Sequence, residues 1–291
     1  MIRTMPATGA SAHSSYILHE RAAEYYGAGT GYLSIKSFFG GRALYAVGRA
    51  RFAIDERSYL VLNHGREYSI TIESQAPVES LCVFFAPGMA AATRRTLATP
   101  SAQLLNNPEQ PSAPDQPFFE RSYAQGDGIS HILLRIRHAL GNGHAETGWL
   151  HEQLHALMAA LLQQQHTIYR EIERLPAARP ATREELYRRL HLAREFAAAC
   201  FAAPLTLEAL ADVAGMSSNH LLRTFKQVFG QTPYQYITAQ RIAAAQQQLA
   251  HTDNPISEIC LAVGFESLGA FSWLFRRHNG MPPSAYRHQF R

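Results

Sequence analysis

The feature that most constrains this chain is an internal repeat near its C-terminal end. The segment LTLEALADVAGMSSNHLLRTFKQVFGQTPYQYI is followed about fifty residues later by a variant of itself, NPISEICLAVGFESLGAFSWLFRRHNGMPPSAY. With one extra residue allowed in the second copy, the small, apolar, glycine and proline positions coincide. The matched pairs are Leu210/Ile259, Ala211/Cys260, Gly215/Gly264, Leu221/Phe271, Phe225/Phe275, Lys226/Arg276, Gly230/Gly280, Pro233/Pro283 and Tyr236/Tyr286. Such self-similarity indicates two copies of one structural unit.

Each copy predicts a helix, a tight turn and a second helix. A glycine in the turn, Gly215 or Gly264, allows a left-handed backbone at little cost. A serine, Ser217 or Ser267, stands where it can cap the second helix. Apolar residues spaced by four then seat that helix on its partner. This is the helix-turn-helix pattern, in which the N-terminal residues of the second helix enter the DNA major groove.

The tandem units resemble the AraC/XylS family of transcription regulators. The resemblance rests on FKQVFGQTPYQYI, which closes the first unit, and GFESLGAFSWLFRRHNGMPPSAYR, which closes the second. It is strong from about residue 182 to 291 and weaker over the first 170 residues. It implies a sequence-specific DNA-binding transcription regulator that responds to a small-molecule effector held by its N-terminal domain. Double-stranded DNA, RNA polymerase and a second copy of the chain, forming a homodimer, are the partners it implies.

Length and sequence pattern predict two domains. A chain of 291 residues with 46% hydrophobic residues is long enough to bury two cores. We assign residues 1–175 to an effector-sensing and dimerisation domain and residues 182–291 to a DNA-binding domain. The two helix-turn-helix units are placed at 206–230 and 256–280. The Pro-containing stretch at 175–180 is the predicted linker.

Charge and cysteine usage agree with a DNA-binding protein of the cytoplasm. The formal net charge is +4. From Thr182 onward, eleven Lys and Arg face eight Asp and Glu, so most of the positive excess accompanies the repeat, as a polyanionic partner requires. The cysteines Cys82, Cys200 and Cys260 lack metal-type spacing. Since no apolar run is long enough for a membrane span or a secretion signal, we expect a cytoplasmic protein with no membrane partner.

The first part of the chain predicts an α+β architecture. Residues 1–27 are expected to form a loose arm. Six short runs rich in aromatic and β-branched residues then follow, separated by turn residues that include Ala76-Pro77, as in a sandwich or barrel. These runs are YLSIKSFF, ALYAV, RFAI, SYLVLN, YSITIE and SLCVFF. The family resemblance implies a cupin-like β-barrel here, at about 28–90, and His64 is expected on its surface at a turn.

Helices are predicted to trail the barrel over about 118–173. They follow a proline-rich loop at 98–117, which can continue neither a helix nor a sheet. The first helix is expected from Phe118 to about Leu140. The second, at about 146–173, carries leucines at three- and four-residue spacing, close to a coiled-coil stripe. The C-terminal domain is predicted to be all-α.

A literal H-E-x-x-H occurs at His151, Glu152 and His155. On a helix this spacing places two imidazoles one turn apart, as in zinc peptidases. The sequence offers no third ligand placed to point back at a zinc ion between these histidines, and nothing else in the chain resembles a protease. We therefore interpret these residues as flanks of the leucine stripe, and we predict no catalytic residue, no metal and no cofactor. The alternative function is a small-molecule-binding or enzymatic β-barrel with a helical appendage.

DNA contacts are predicted on both recognition helices, unequally. In the first unit, Asn219 and Arg223 are the expected base readers, because asparagine pairs with adenine and arginine with guanine in the major groove. Ser217 and the helix N-terminus suit a phosphate. The remaining predicted DNA-binding residues are Ser218, Leu222 and Lys226 in the first unit, and Ser267, Leu268, Trp273, Arg276 and Arg277 in the second.

The second recognition helix lacks polar readers. Leu268, Gly269, Ala270 and Trp273 stand where polar residues are usual in the resembled family, and none of them can make a bidentate base contact. Arg276 and Arg277 remain for phosphates. We expect the first unit to supply most sequence discrimination and the second mainly affinity. No effector-binding residue is assigned, although the barrel aromatics either line a pocket or form plain core. Those aromatics are Tyr32, Phe38, Tyr45, Tyr59, Tyr68 and Phe84.

Overall fold

The computed structural model describes residues 14–99, 116–175 and 179–290. The chain divides into two compact units, Met1–Glu184 and Glu185–Arg291. Half of the predicted linker, 176–178, and most of the proline-rich loop, 100–115, lie outside the described residues. Of the helices that the structure describes, none combines the length and the apolar character needed to cross a membrane.

The described part of the N-terminal unit is built on one antiparallel sheet of seven strands. Along the main path their order is β4-β3-β6-β2-β5-β7, and β1 pairs with β6. Because β4 also contacts β5 and β7, the sheet curls into a nearly closed barrel. The strands are β1 (Tyr16–Thr30), β2 (Ser34–Phe39), β3 (Ala43–Val47), β4 (Ala50–Ile54), β5 (Ser58–Leu62), β6 (Glu67–Phe84) and β7 (Ser122–Ala124).

Two predicted features of this sheet are wrong. The loose arm is wrong for residues 16–27, because β1 begins at Tyr16 and runs along β6 as a half-exposed strand. The predicted turn at Ala76-Pro77 is also wrong, because β6 continues through it. The register of β1 against β6 shifts between Ala22 and Glu24, opposite this point. The proline therefore sits where the ladder is already interrupted and no backbone donor is needed.

Within the described residues, three helices accompany the barrel: α1 (Met89–Ala98), α2 (Gly128–Gly141) and α3 (Thr147–Glu173). The prediction of helix from Phe118 is wrong, because Ser122–Ala124 pairs with β5 as β7. Helix α2 begins only after Asp127, whose carboxylate accepts a hydrogen bond from the backbone of Ser130 at 2.8 Å. The hydroxyl of Tyr59 on β5 donates to the same carboxylate at 2.6 Å, which ties the helix start to the barrel.

A buried carboxylate fixes the other end of α2. Glu79 on β6 accepts from Arg137 of α2 at 2.7 and 3.0 Å, and from Arg21 and His19 of β1 at 3.0 and 2.8 Å. These partners, Arg137 above all, lower the pKa of Glu79 to about 2. The carboxylate is therefore ionised at neutral pH and joins two strands to a helix.

The leucine stripe of α3 is used within the chain. Leu154, Leu157 and Leu161 are buried, and α3 contacts α1 and α2. The stripe therefore forms core of the N-terminal unit and does not offer an exposed coiled-coil surface.

The C-terminal unit is helical throughout its regular structure. Its elements are α4 (Pro180–Ala199, of which residues up to 184 belong to the first unit), α5 (Leu207–Ala214), α6 (Ser218–Phe229), α7 (Pro233–His251), α8 (Ile256–Ala262), α9 (Leu268–Asn279) and α10 (Pro283–Gln289). Two separate cores correspond to the two repeats. One contains Leu221 and Phe225, the other Phe271 and Phe275, and Phe201 packs against both.

Candidate nucleic-acid interface

The capping residues predicted from the repeat open both recognition helices. The side chain of Ser217 accepts from the backbone N–H of His220, and that of Ser267 accepts from Ala270, each at 3.4 Å. Left-handed glycines close the same helices, Gly230 with φ 71° and Gly280 with φ 76°. This prediction is confirmed, and it follows from the need to satisfy the free N–H and C=O groups at helix ends.

The two turns are packed differently. Gly215 has φ 61°, and Arg189 of α4 donates to its carbonyl oxygen at 2.8 Å. Gly264 has φ 93°, and a Cβ atom there would lie 2.6 Å from the carbonyl oxygen of Ala202. The first turn is held by a side chain, whereas the second lies directly on the backbone before α5.

A long connector helix joins the units. Helix α7 starts in a capping box of Thr232 and Gln235 and spans about 28 Å at 1.5 Å per residue. Its Arg241 donates to the carbonyl oxygens of Phe201 and Ala203 at 2.7 and 3.0 Å. The Arg241 guanidinium also lies over the ring of Phe265, 5.6 Å from its centroid. Arg241 is therefore a packing residue between the two cores.

Helix α6 presents a polar face at its N-terminal end. Leu221, Thr224 and Phe225 are buried, while Asn219 and Arg223 are exposed. Neither of these two side chains bonds to any residue within the described ranges. Leu222, with 38% of its surface exposed, and Lys226 lie on the same outward side. The base readers predicted from sequence are thus free to meet a ligand together.

Helix α9 presents an apolar face at the equivalent place. Phe271 and Phe275 are buried, and the exposed side carries Leu268 at 48% exposure and Trp273 at 60%. Arg277 lies over the Trp273 ring, 5.3 Å from its centroid. The other predicted contact residues of this helix, Ser267 and Arg276, are also exposed.

The H-E-x-x-H residues do not converge on a site. His151, Glu152 and His155 lie exposed on α3. Over the residues that the structure describes, no three His, Cys, Asp or Glu side chains are grouped as a metal site would require.

Sequence reasoning missed a buried lysine in the barrel. Lys36 on β2 is 1% exposed, and its ammonium lies 3.6 Å from the ring centroid of Phe84 and 5.3 Å from that of Tyr68. Burial lowers its pKa to about 8. No described carboxylate forms an ion pair with it. The available signal was a lysine in the otherwise uncharged strand SIKSFF.

The six barrel aromatics were expected either to line a pocket or to form core, and both occur. Phe38, Tyr45, Tyr59, Tyr68 and Phe84 are buried core. Tyr32 instead stacks on the exposed His64, with ring centroids 5.4 Å apart, beside a cavity of about 270 Å³. The apolar wall of this cavity includes Phe85, Ala90, Pro117 and Phe118.

Comparison with known proteins agrees with the repeat. A family model described as a helix-turn-helix domain matches residues 210–289. Probable transcriptional regulator LumQ of Photobacterium leiognathi is 26% identical over 238 residues, which cover 77% of this chain and 91% of LumQ. HTH-type transcriptional activator RhaR of Klebsiella pneumoniae is 32% identical over 55% of this chain, and the matched region spans 54% of RhaR.

A solved structure from Chromobacterium violaceum is also similar. It is a transcriptional regulator of the group described as AraC-type DNA-binding domain-containing proteins. It is 34% identical over 36% of this chain and 93% of its own, with a TM-score of 0.34.

The fold and its two exposed recognition helices thus define a DNA-binding transcription regulator with a tandem helix-turn-helix domain and a cupin-like N-terminal barrel. The helix-turn-helix domain of this chain is of the AraC type, as the resemblance to the AraC/XylS family led us to expect.

Proposed function

We propose that this regulator reads its DNA site mainly through α6. The observation that carries the proposal is the pair Asn219 and Arg223, one turn apart on an exposed helix face and free of other described partners. An asparagine can bridge N6 and N7 of adenine, and an arginine can bridge O6 and N7 of guanine. Ser217, Ser218 and Lys226 would hold the flanking phosphates, and Leu222 would contact the groove.

The second unit would follow the groove about one helical turn away. The roughly 28 Å length of α7 suits the ~34 Å spacing of successive major-groove faces on one side of a duplex. Ser267, Arg276 and Arg277 would then meet phosphates. One chain would place two recognition helices as a simple helix-turn-helix dimer does.

The direct test is a gel-shift titration of the full-length protein on the DNA upstream of its own gene, at several salt concentrations. Binding is expected to weaken linearly on a double-logarithmic plot against salt, because Lys and Arg displace counterions. An Arg223→Ala variant should lose sequence preference, and Arg223→Lys, which keeps the charge but not the forked geometry, should lose it as well. The absence of any shift at low salt, with cell extract added, would contradict the proposal.

We further propose that the N-terminal unit binds a small-molecule effector that shifts the population of DNA-competent chains. Lys36 supports this, because a fully buried ammonium without a described carboxylate partner is costly unless another group compensates it. An anionic effector would supply that group. The apolar cavity beside Tyr32 is a second place for a small ligand.

A thermal-shift screen of metabolites against the full-length protein tests the effector proposal. Anionic compounds are expected to raise the melting temperature of the wild type but not of Lys36→Met, because binding to the folded state alone stabilises it. Hits that act equally on both proteins would place the effector away from Lys36, and a screen without hits would count against effector binding. A cytoplasmic location, a homodimer, RNA polymerase contact and the domain limits 1–175 and 182–291 stay predictions.

A further inference from the structure

The exposed face of α9 has no counterpart on α6. Leu268 and Trp273 are 48% and 60% exposed, and Gly269 and Ala270 lie between them on the same outward side. The aligned positions of α6 hold Ser218, Asn219, His220 and Arg223. Trp273 is thus exposed where the first unit carries Arg223, and Leu268 is exposed where it carries Ser218.

Charge around this face indicates what covers it. Arg276, Arg277 and His278 stand in the last turn of α9, and its first turn has no acidic residue. Glu266, just before the cap, is the one nearby carboxylate in sequence. The Arg277 guanidinium holds the Trp273 ring by a cation–π contact at 5.3 Å. The apolar face of α9 lies next to cationic side chains. It therefore suits a partner that presents apolar groups in a groove and negative charge along the edges of that groove.

We propose that the second unit recognises thymine methyl groups through Leu268 and Trp273. The proposal rests on the function proposed above, in which α9 enters the major groove. There the C5 methyl of thymine is the one apolar group that a base pair presents, and it distinguishes T·A from the other pairs. Covering it with leucine or tryptophan removes apolar surface from water, a gain that requires no hydrogen-bond geometry.

The expected change in affinity per contact is smaller for thymine methyl recognition by the second unit than for base recognition by the first. Burial of one methyl group corresponds to a three- to fourfold change in affinity, by order-of-magnitude reasoning at about the strength of one buried CH₂. A bidentate base contact is worth roughly fivefold to a hundredfold. The second unit should therefore favour thymine weakly at each position, and the methyl alone should account for the preference.

Deoxyuridine substitution tests the proposal, since it removes the methyl and leaves base pairing unchanged. The probe is a duplex that the full-length wild-type protein selects from a randomised DNA library. The half-site whose preferences change in Arg223→Ala is assigned to the first unit, and the other half-site to the second. Replacement of thymines by deoxyuridine in the second half-site should weaken binding about three- to fourfold per contacted methyl. The same replacement in flanking DNA should have no effect.

Variants of the exposed face complete the test. Leu268→Ala and Trp273→Ala should bind the thymine and deoxyuridine duplexes with more nearly equal affinity. Leu261→Ala is the matched control, because Leu261 is 65% exposed but lies on α8, outside the recognition helix. It should keep the full deoxyuridine effect. Circular dichroism and melting temperature establish that all three variants remain folded.

Three results would overturn the inference. They are unchanged binding to deoxyuridine in the second half-site, an effect that persists undiminished in both variants, and an effect that Leu261→Ala also abolishes. Loss of a protein partner by Trp273→Ala, with the DNA results unchanged, would assign this face to that partner instead. A wild-type protein that selects no duplex would contradict the DNA-binding proposal itself, which is a distinct outcome.

Discussion

The first helix-turn-helix unit, α5 and α6, exposes Asn219 and Arg223 where the second, α8 and α9, exposes Gly269 and Trp273. Their interiors are alike, since serine caps, left-handed glycines and paired apolar residues recur at matched positions. The residues that build the unit are thus alike in the two copies, whereas the residues that face outward differ. Under the proposed function, two similar folds in one chain would therefore contribute different kinds of DNA recognition.

The turns of the two helix-turn-helix units are less alike than their glycines indicate. Both glycines have positive φ, but only Gly264 lies against a neighbouring backbone. Gly264 approaches Ala202, which lies between Phe201 and Ala203, the two residues whose carbonyl oxygens accept from Arg241. The turn of the second helix-turn-helix unit is thus packed against the segment between the two helix-turn-helix cores. The turn of the first is not packed against a neighbouring backbone.

Gly264→Ala should give the largest effect. A Cβ would meet the Ala202 carbonyl oxygen at 2.6 Å, and the backbone would also be strained. We expect a loss of about 3 kcal/mol or more in the free energy of unfolding of the C-terminal unit. Gly215→Ala is the matched control, because it carries the left-handed cost of about 1–2 kcal/mol without the backbone clash. Calorimetry of the full-length protein measures both, and equal losses would show that the turns are equivalent.

Arg223→Ala should relax base preference at one position of the first half-site by about 1–3 kcal/mol. Trp273→Ala should lower affinity while it changes preference little, except at thymine. Competition binding with duplexes that carry single base-pair changes measures the difference. A similar relaxation in both variants would remove the functional distinction between the units.

Lys226→Ala and Arg277→Ala should act alike, because their charges are expected to meet phosphates. Each should weaken binding to all sequences by a similar factor and reduce the slope of log affinity against log salt by about 1. Titrations at several salt concentrations provide the slopes. A change that depends on sequence would assign the residue to base readout instead.

Ser217→Ala and Ser267→Ala should give the smallest and most nearly equal effects. Each removes a capping contact of 3.4 Å, so we expect a cost of about 0.5–1 kcal/mol in stability. Ser218→Ala, next to the first cap, is the control that should change stability less. If thermal unfolding showed unequal losses of stability for the two variants, the serine caps would not be equally important in the two helix-turn-helix units.

The helix caps, turn glycines and apolar spacing of the two helix-turn-helix units were predictable from the sequence, because each depends on residues only a few positions apart. The repeat also shows each of these features twice. In the barrel, the short aromatic strands were predictable for the same reason. The start of α2 was not, since Asp127 is fixed by Tyr59 from 68 positions away.

Features that depend on residues far apart along the chain could not be predicted from the sequence. Strand β1 carries charged, alanine and glycine residues and lies half-exposed, so its apolar alternation is weak. The continuation of β6 through Pro77 depends on the register shift in β1. The tight approach of Gly264 to Ala202 joins residues that no local pattern connects. The predicted DNA-contact residues could be placed on exposed helix faces, but their roles depend on a ligand outside the chain.

Selection of binding sites from a randomised DNA library by the full-length protein tests the central claim most directly. The account predicts one half-site with strong guanine and adenine preferences, lost in Arg223→Ala, and a second half-site with only a weak preference for thymine. Two half-sites with equally strong preferences, both retained in Arg223→Ala, would contradict it.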